Sequence, residues 1–272
     1  MQTAVKYFNV FGGYDLKIDT TKPLEELIKS HILNNYEDLK REIHLLTGGY
    51  HIDHAVLSGI ALSDRRTNAS FKRAHISFEE GMTCVDNLCE KGIIEIESSF
   101  NFLAKKVDNS DVSKKLLFTT PFLRFWFAFV SPIYKGIRDK KYAEFEERFK
   151  NNFTQFQEFI FEELCMEYSR DFYEKDGIKD LGKYWDKSRQ IDVIVQTKEN
   201  KIIVGVCKNA TSKMKKAILT KLMQDCTDVG IQADAYVLFA NSGFTNELKA
   251  MKSETLKLFN TKSLKLLTQS NK

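Results

Sequence analysis

The stretch that decides the fold is IDVIVQTKENKIIVGVCK, residues 191–208. Residues 191–195 and 201–207 are rich in β-branched side chains, which favours two strands, and Asn200 predicts the tight turn that joins them. Further strands are expected at residues 184–185 and 235–240. Apolar side chains at helical spacing predict helices over residues 153–170 and 212–229. The predicted order is therefore helix, three strands, helix, strand, which is typical of an α/β domain.

This order of elements resembles the αβββαβ core of the PD-(D/E)XK nucleases. That core carries a carboxylate at the start of its second strand, and an acidic residue and a lysine at the end of its third. The two carboxylates hold Mg²⁺, which activates water for attack on a phosphodiester, and the lysine stabilises the developing charge. Asp192 and Lys208 occupy the first and last of these positions. The acid should lie two residues before the lysine, on the same face of the strand, but Val206 stands there.

The predicted catalytic set is therefore Asp192, Lys208 and Glu162, a carboxylate of the preceding helix. Asp192 is the one strand-borne ligand left for Mg²⁺, and no other cofactor is indicated. The alternative is an active nuclease in which another acid has moved to the missing position. The candidates for such a relocated acid are Glu163, Glu167 and Asp225. Because charged side chains on helices are most often simply solvated, we favour weak or absent catalysis.

Five lysines begin at this site and continue onto the next helix: Lys208, Lys213, Lys215, Lys216 and Lys221. A cleft with one carboxylate and several lysines is electropositive and suits a nucleic-acid backbone, most simply that of DNA. The simpler alternative is a solvated helix N-terminus. We favour the phosphate-binding interpretation because the lysines adjoin the nuclease-like site.

Residues 1–50 form a separate first region. The alternating residues 5–11, the pair Gly12-Gly13 and residues 16–18 predict strand, turn and strand. Pro23 and the acidic residues after it predict the start of a helix, and a second helix is expected over residues 36–46. A unit of this size buries little core, so we expect it to dock on another part of the protein.

Residues 51–120 predict three helices and a two-stranded hairpin, the layout of a winged helix. Ser77 and Glu80 have the spacing of a capping box at the start of the third helix, and residues 108–111 are expected to form the wing tip. That third helix is acidic, which disfavours contact with phosphates. The basic residues of the region lie elsewhere: Arg65, Arg66, Lys72, Arg73, Lys105 and Lys106. We therefore favour a structural connector over a reader of bases.

Residues 121–132, PFLRFWFAFVSP, open the third region, which runs from residue 121 to residue 272. The run is mostly aromatic or aliphatic, and Arg124 is its one basic residue. This composition favours a buried helix over a stripe that stacks on bases.

Seven stretches, met in order along nearly the whole chain, resemble the archaeal-type ATPases, a group of prokaryotic P-loop ATPases. They are YFNVFGG from residue 7, KPLEELI from 22, TPFLRFWFAFV from 120, FEELCMEY from 161, GKYWDK from 182, IDVIVQ from 191 and YVLFANSGFT from 236. In that family the C-terminal domain of unknown function has a nuclease-like fold. The resemblance implies that residues 1–50 correspond to part of the ATPase lid and residues 121–272 to the nuclease-like domain.

Two departures from the family limit what the resemblance implies. The chain has no Gly-x-x-x-x-Gly-Lys-Ser/Thr loop, so it is not expected to bind ATP by itself, and a separately encoded P-loop ATPase becomes a candidate partner. Where the family has Gly-Glu-Cys-Lys on the third strand, this chain has Gly205-Val206-Cys207-Lys208. The family's acid before Asp192 is replaced by Gln190.

The composition indicates a globular cytoplasmic protein. The 272 residues carry a formal net charge of +4, which permits a nucleic-acid partner without requiring one. The five scattered cysteines form no Cys-x-x-Cys pair, which favours a reducing compartment over zinc or disulfides. Neither a signal peptide nor a membrane span is predicted. His51, Asp53 and His54 lie close in sequence, but their place at a helix start favours capping over metal binding.

Three functional hypotheses follow from the sequence. The favoured one is a DNA-associated module with a degenerate nuclease-like domain that binds the nucleic-acid backbone with weak or no catalysis. The second is an active Mg²⁺-dependent DNA endonuclease that uses a relocated acidic residue. The third is an interaction module that docks a separately encoded ATPase through residues 1–50.

Overall fold

The computed structural model describes residues 2–104 and 113–264 and has a mixed α+β fold with two compact units. The sheet unit comprises the described residues of Met1–Gln2, Ser98–Val112 and Glu158–Lys272. The helical unit comprises Thr3–Glu97 and the described residues of Ser113–Gln157. The chain thus enters the sheet unit at Ser98, before it has completed the helical unit.

The helical unit contains nine α-helices and two short strands among its described residues. In chain order they are α1 (Gln2–Phe11), α2 (Leu24–Ile28), α3 (Tyr36–Thr47), α4 (His51–Ala61), α5 (Thr67–Ala74), α6 (Phe78–Glu90), β1 (Ile94–Glu97), β2 (Lys115–Phe118), α7 (Pro121–Phe125), α8 (Tyr134–Arg138) and α9 (Ala143–Phe156). A π-helical turn over Lys29–Leu33 extends α2, and another over Trp126–Val130 extends α7. Pro23 directly precedes α2, as the sequence indicated, and Gly48 ends α3 in a left-handed conformation with φ 77°.

The N-terminal segment is helical, so the predicted strand, turn and strand over residues 5–18 is wrong. Residues 2–11 form α1, in which Tyr7, Val10 and Phe11 face the core of the helical unit. Their spacing of three and four residues fits one face of a helix. A short apolar run satisfies the strand and helix periods almost equally well, and packing against the core decides between them.

The predicted elements of residues 51–120 are present as α4, α5, α6 and the antiparallel pair of β1 with β2. The capping box is confirmed, because the Ser77 side chain accepts from the Glu80 N–H and the Glu80 carboxylate accepts from the Ser77 N–H. The predicted wing tip at residues 108–111 and the basic residues Lys105 and Lys106 lie outside the described residues.

The aromatic run is buried, as predicted. Every residue from Phe122 to Val130 is buried, and eight phenylalanines of α7, its π-helical turn and α9 belong to one core: Phe122, Phe125, Phe127, Phe129, Phe145, Phe149, Phe153 and Phe156. Arg124 is only 5% exposed. Its Nε donates to the Ala61 carbonyl at 3.1 Å and its Nη1 to the Phe156 carbonyl at 2.8 Å. The one cation of the run therefore binds the C-terminal ends of α4 and α9.

The sheet unit is built on one five-stranded sheet. Its elements are α10 (Glu158–Tyr173), β3 (Ile178–Trp185), β4 (Gln190–Thr197), β5 (Ile202–Lys208), α11 (Lys216–Val229), β6 (Ala235–Ala240), α12 (Asn246–Ala250) and β7 (Leu256–Asn260). The strand order is β3-β4-β5-β6-β7; β3, β4 and β5 are antiparallel, and β5, β6 and β7 are parallel. The predicted helix over residues 153–170 is wrong as one element, because α9 ends at Phe156 and α10 begins at Glu158. The sequence did not predict β7.

Helix α10 crosses one face of the sheet from β3 towards β7. Glu163 in its first half pairs with Lys183 of β3, and Phe172 near its end packs on Phe259 of β7, with ring centroids 5.0 Å apart. The opposite face is covered by α11 and α12, whose residues Leu219 and Leu248 share a second core with β4, β5 and β6. The sheet therefore lies between two helical layers.

Residues 98–104, the edge segment, cover the outer edge of β3. The Phe100 N–H donates to the Lys183 carbonyl at 2.8 Å, and the Ser99 hydroxyl both donates to the Trp185 carbonyl and accepts from the Trp185 N–H. A Cβ on Gly182 would lie 2.4 Å from the Phe100 ring, so the close approach requires glycine there. Across the described residues, no helix has both the length and the apolar character needed to cross a membrane.

Candidate functional site

Asp192 lies where β4 and β5 separate. The paired register of the two strands ends at Val193 and Gly205, and the Asp192 carboxylate takes the next backbone donor, accepting from the Cys207 N–H at 2.8 Å. Its other oxygen accepts from the Gln190 side-chain amide at 2.9 Å. Asp192 is only 7% exposed, so both hydrogen bonds form in a largely dry setting. The position is that of a fixed acceptor between two strands.

The environment of Asp192 disfavours its charged form. Burial and the negative charge of Glu162 raise the pKa of Asp192 to about 6, although the Cys207 N–H, the Gln190 amide and the charge of Lys208 oppose the shift. Carboxyl groups with strongly shifted pKa values cluster at functional sites, because burial and nearby charges are arranged there to shift them. The three predicted catalytic residues, Asp192, Lys208 and Glu162, therefore act on one another electrostatically.

A second acid of α10 extends this group. Burial and Glu162 raise the pKa of Glu158, and the charge of Lys208 opposes that shift. Because Glu158 and Glu162 are four residues apart on one helix, both lie on the face turned towards Asp192 and Lys208. Glu158 is not among the residues predicted from the sequence, although its four-residue spacing from Glu162 was a usable signal.

Val206 packs as an apolar residue. It is half-buried against the core that α11 forms with the sheet, together with Ile218 of that helix. The adjacent Cys207 points to the opposite face, where burial and Cys165 raise the pKa of its thiol well above the usual range. A valine at this position thus supplies packing in place of a metal ligand.

The acids considered as replacements for the missing ligand are held elsewhere. Glu163 accepts from the buried Lys183 Nζ at 2.6 Å, and Glu167 lies 3.6 Å from Arg170. Asp225 is paired with Lys221 at 2.5 Å. Within residues 2–104 and 113–264, no three His, Cys, Asp or Glu side chains are grouped to hold a metal ion. The donor set expected for Mg²⁺ is therefore incomplete in the described chain.

His54 in the first turn of α4 serves packing and hydrogen bonding. His54 contacts the Thr47 hydroxyl at 2.7 Å, and burial and the charge of His44 lower its pKa. Asp53 is buried and accepts from the Asn87 amide at 2.8 Å. These hydrogen bonds use two of the three side chains that the sequence had grouped as a conceivable metal trio, His54 and Asp53.

The five predicted phosphate-binding lysines divide into two classes. Lys216 lies 3.4 Å from Glu247 of α12, and Lys221 is paired with Asp225 of α11, so a nearby acid neutralises each of these two charges. Lys208, Lys213 and Lys215 are exposed, and none of them forms an ion pair with another described residue. Lys208 still acts electrostatically on Asp192 and Glu158, so the positive charge with the least local compensation is that of Lys213 and Lys215, in the loop that follows β5.

Hydrogen bonds fix this loop, residues 209–215, to the loop that follows β6, residues 241–245. The Asn241 amide donates to Asn209 at 2.8 Å, and the Ser242 hydroxyl donates to the Ala210 carbonyl at 2.7 Å. Met214 donates to the Gly243 carbonyl and accepts from the Thr245 N–H. Sequence reasoning missed these contacts. The parallel order of β5 and β6, which puts their carboxyl ends side by side, is what brings the loops together.

An open concavity of about 590 Å³ lies along α11. It is lined by the side chains of Lys216, Thr220, Lys221, Gln224, Asp225 and Glu247, among others. Both of its lysines are neutralised by the acids that share the lining, so the concavity is close to charge-balanced. The loop of residues 209–215 differs, because Lys213 and Lys215 in it have no ion pair with a described acid.

Comparison with known proteins finds one family model and one solved structure that are similar to parts of this chain. A DUF234 domain, described as "Archaea bacterial proteins of unknown function", is found at residues 126–219, and it includes Asp192, Lys208 and Lys215. No curated protein matches the chain. The crystal structure of protein VC1899 from Vibrio cholerae aligns at 15% identity over 86% of this chain and 55% of that one, with a TM-score of 0.31. The chain thus spans about half the length of that protein.

Proposed function

We propose that the sheet unit binds the phosphate backbone of nucleic acid, most simply DNA, at the carboxyl end of β5. The observation that carries the proposal is the division of the lysines. Lys208, Lys213 and Lys215 are exposed and without local ion pairs in the described chain, whereas Lys216 and Lys221 are neutralised. A lysine that forms no direct ion pair with a neighbouring acid can replace counterions on a phosphate backbone.

The proposal includes the finer fold assignment. Helix α10, strands β3 to β5, helix α11 and strand β6 follow the order expected of a PD-(D/E)XK core, and Asp192 and Lys208 occupy the expected strand ends. Helices α4 to α6 with β1 and β2 follow the order of a winged helix. We treat that region as a connector, because Glu79, Glu80 and Glu90 make α6 acidic.

Binding is tested with fluorescent duplex and single-stranded oligonucleotides at several salt concentrations. Lys208→Ala and Lys215→Ala should each weaken binding and reduce the slope of log affinity against log salt by about 0.9 for duplex DNA, one phosphate contact each. Lys221→Ala removes the same charge from a neutralised position and should leave the slope unchanged. Equal losses for all three variants, or no binding by the wild-type protein at low salt, would contradict the proposal.

The catalytic alternative is favoured by one observation: burial and, after it, the negative charge of Glu162 raise the pKa of Asp192. Under this alternative the relocated acid is Glu162, since Glu163, Glu167 and Asp225 are held by Lys183, Arg170 and Lys221. Cleavage in Mg²⁺ or Mn²⁺ that both Asp192→Ala and Glu162→Gln abolish would support it.

The variant Val206→Glu tests whether the missing acid is the only catalytic group that the site lacks. It restores the acid two residues before Lys208, so metal-dependent cleavage gained by this variant alone would show that the remaining groups are in place. Cleavage by the wild-type chain would instead favour the catalytic alternative. The docking of a separately encoded ATPase through residues 1–50 stays a prediction.

A further inference from the structure

The segment Lys213-Met214-Lys215 has an alternating arrangement. Met214 is 4% exposed, belongs to the core beneath α11, and forms a parallel bridge with Phe244. Lys213 and Lys215 on either side of it are exposed. Lys215 has extended backbone angles, φ −99° and ψ 159°. Side chains two residues apart on extended chain lie on the same face, so the two lysines point away from the core together.

We propose that Lys213 and Lys215 form a two-phosphate clamp that holds neighbouring phosphates of one nucleic-acid strand. Two residues of extended chain rise about 6.6 Å, which is comparable to the separation of successive phosphates along a strand. This inference rests on the proposed backbone binding and adds its geometry. The spacing of the two cations, and not only their charge, contributes to affinity.

The anchoring of Met214 keeps that spacing fixed. Its N–H donates to the Gly243 carbonyl at 2.9 Å, and its carbonyl accepts from the Thr245 N–H at 3.0 Å. Beside it, Ser242 donates to the Ala210 carbonyl. A lysine loop held in this way loses less conformational freedom on binding than a mobile one, so more of the electrostatic attraction remains as affinity.

The first test moves one cation without changing the net charge. Lys213→Ser combined with Ser212→Lys shifts the ammonium group by one residue, towards the other side of the extended chain. We expect this exchange to weaken binding to a fluorescent oligothymidylate roughly fivefold, as much as Lys213→Ala does. The matched control, Lys252→Ser with Ser253→Lys, makes the same exchange in the loop after α12 and should bind as the wild type. All of these positions except Ser253 have side chains without hydrogen bonds among the described residues, so folding should persist.

The second test uses two oligothymidylates that carry equal numbers of neutral methylphosphonate links. In one they alternate with phosphates, so no two adjacent phosphates are charged; in the other they form one block. The wild-type protein should prefer the block oligonucleotide, and the Lys213→Ser, Ser212→Lys exchange should remove that preference. Wild-type affinity in the exchange variant, or equal wild-type affinity for both oligonucleotides, overturns the clamp. Absence of any binding by the wild type overturns the proposed function as well, so the two failures are distinguishable.

Discussion

At the scale of single residues, the buried position of Asp192 destabilises the fold when its carboxyl group is ionised. The carboxyl group is buried, and burial and the negative charge of Glu162 raise its pKa to about 6. A group whose folded-state pKa exceeds its unfolded value adds stability below the unfolded pKa, near 4, and loses that contribution as pH rises through about 6. Ionised Asp192 is therefore a cost to the fold at neutral pH, which is typical of a residue retained for a site.

Asp192→Asn should remove this pH dependence. Asparagine can still accept from the Cys207 N–H and turn its amide towards the Gln190 side chain. We expect the variant to melt about 3–6 °C above the wild type at pH 8, and the difference to shrink as pH falls from 6 to 4. Thermal unfolding of both proteins from pH 4 to pH 8 measures this difference in melting temperature. A difference that is constant with pH would show that Asp192 is not shifted in this way.

Arg124 is predicted to stabilise the helical unit. Replacing it with methionine keeps much of the apolar stem but leaves the carbonyls of Ala61 and Phe156 without their donors, and it removes the cation 4.0 Å from the Phe156 ring. We expect a loss of about 2–4 kcal/mol in the free energy of unfolding, measured with urea. The control Arg41→Met alters a residue whose side chain is 73% exposed and should change stability by less than about 0.5 kcal/mol.

At the scale of elements, the edge segment covers backbone groups that β3 would otherwise leave unpaired at the edge of the sheet. An uncovered edge strand offers unpaired N–H and C=O groups to other chains. Ser99 and Phe100 take up such groups of Lys183 and Trp185, and Gly182 provides the space for the Phe100 ring. The segment thus completes the sheet although it lies far from β3 in the sequence.

Gly182→Ala should displace the Phe100 ring at a cost of about 1–3 kcal/mol. In a Phe100→Ala background the same substitution should cost much less, because the space is already empty. The two single variants and the double variant form a thermodynamic cycle, with an expected coupling of about 1 kcal/mol from urea unfolding. Additive effects would mean that Gly182 is required for some reason other than the ring.

Elements with a strong local pattern were predictable from the sequence, and those set by packing were not. The strands β4 and β5 and the capping box at Ser77 follow from side-chain chemistry over a few residues. The helix α1 was misassigned as strand because its apolar run is too short to fix a period. The break at Gln157 between α9 and α10 was missed because the apolar pattern continues through it.

At the scale of the whole molecule, the interleaving of the two units limits where the chain can be divided. The sheet unit includes Ser98–Val112, which precede the last helices of the helical unit. A fragment of residues 158–272 contains every strand of the described sheet but lacks the edge segment. The outer edge of β3 would then be open to solvent.

We expect that fragment to show faster amide hydrogen exchange in β3 than the full chain, and a tendency to associate through the strand edge. A fusion that restores residues 98–104 ahead of residue 158 through a flexible linker is the matched control. It should recover protection at Trp185, whose N–H donates to Ser99 in the full chain. Equal exchange in the fragment and the full chain would show that the edge segment adds no protection.

The sequence by itself determined the candidate chemistry: an aspartate and a lysine on adjacent strands, a valine in place of the expected acid, and a run of lysines after β5. These are identities and spacings, which local periodicity converts into positions on strands and helices. Only the tertiary structure decided that the charge of Glu162 acts on Asp192, that Lys216 and Lys221 are neutralised, and that Lys213 and Lys215 flank a buried Met214. The physical reason is that burial and electrostatic pairing depend on residues distant in the chain, which packing alone brings together.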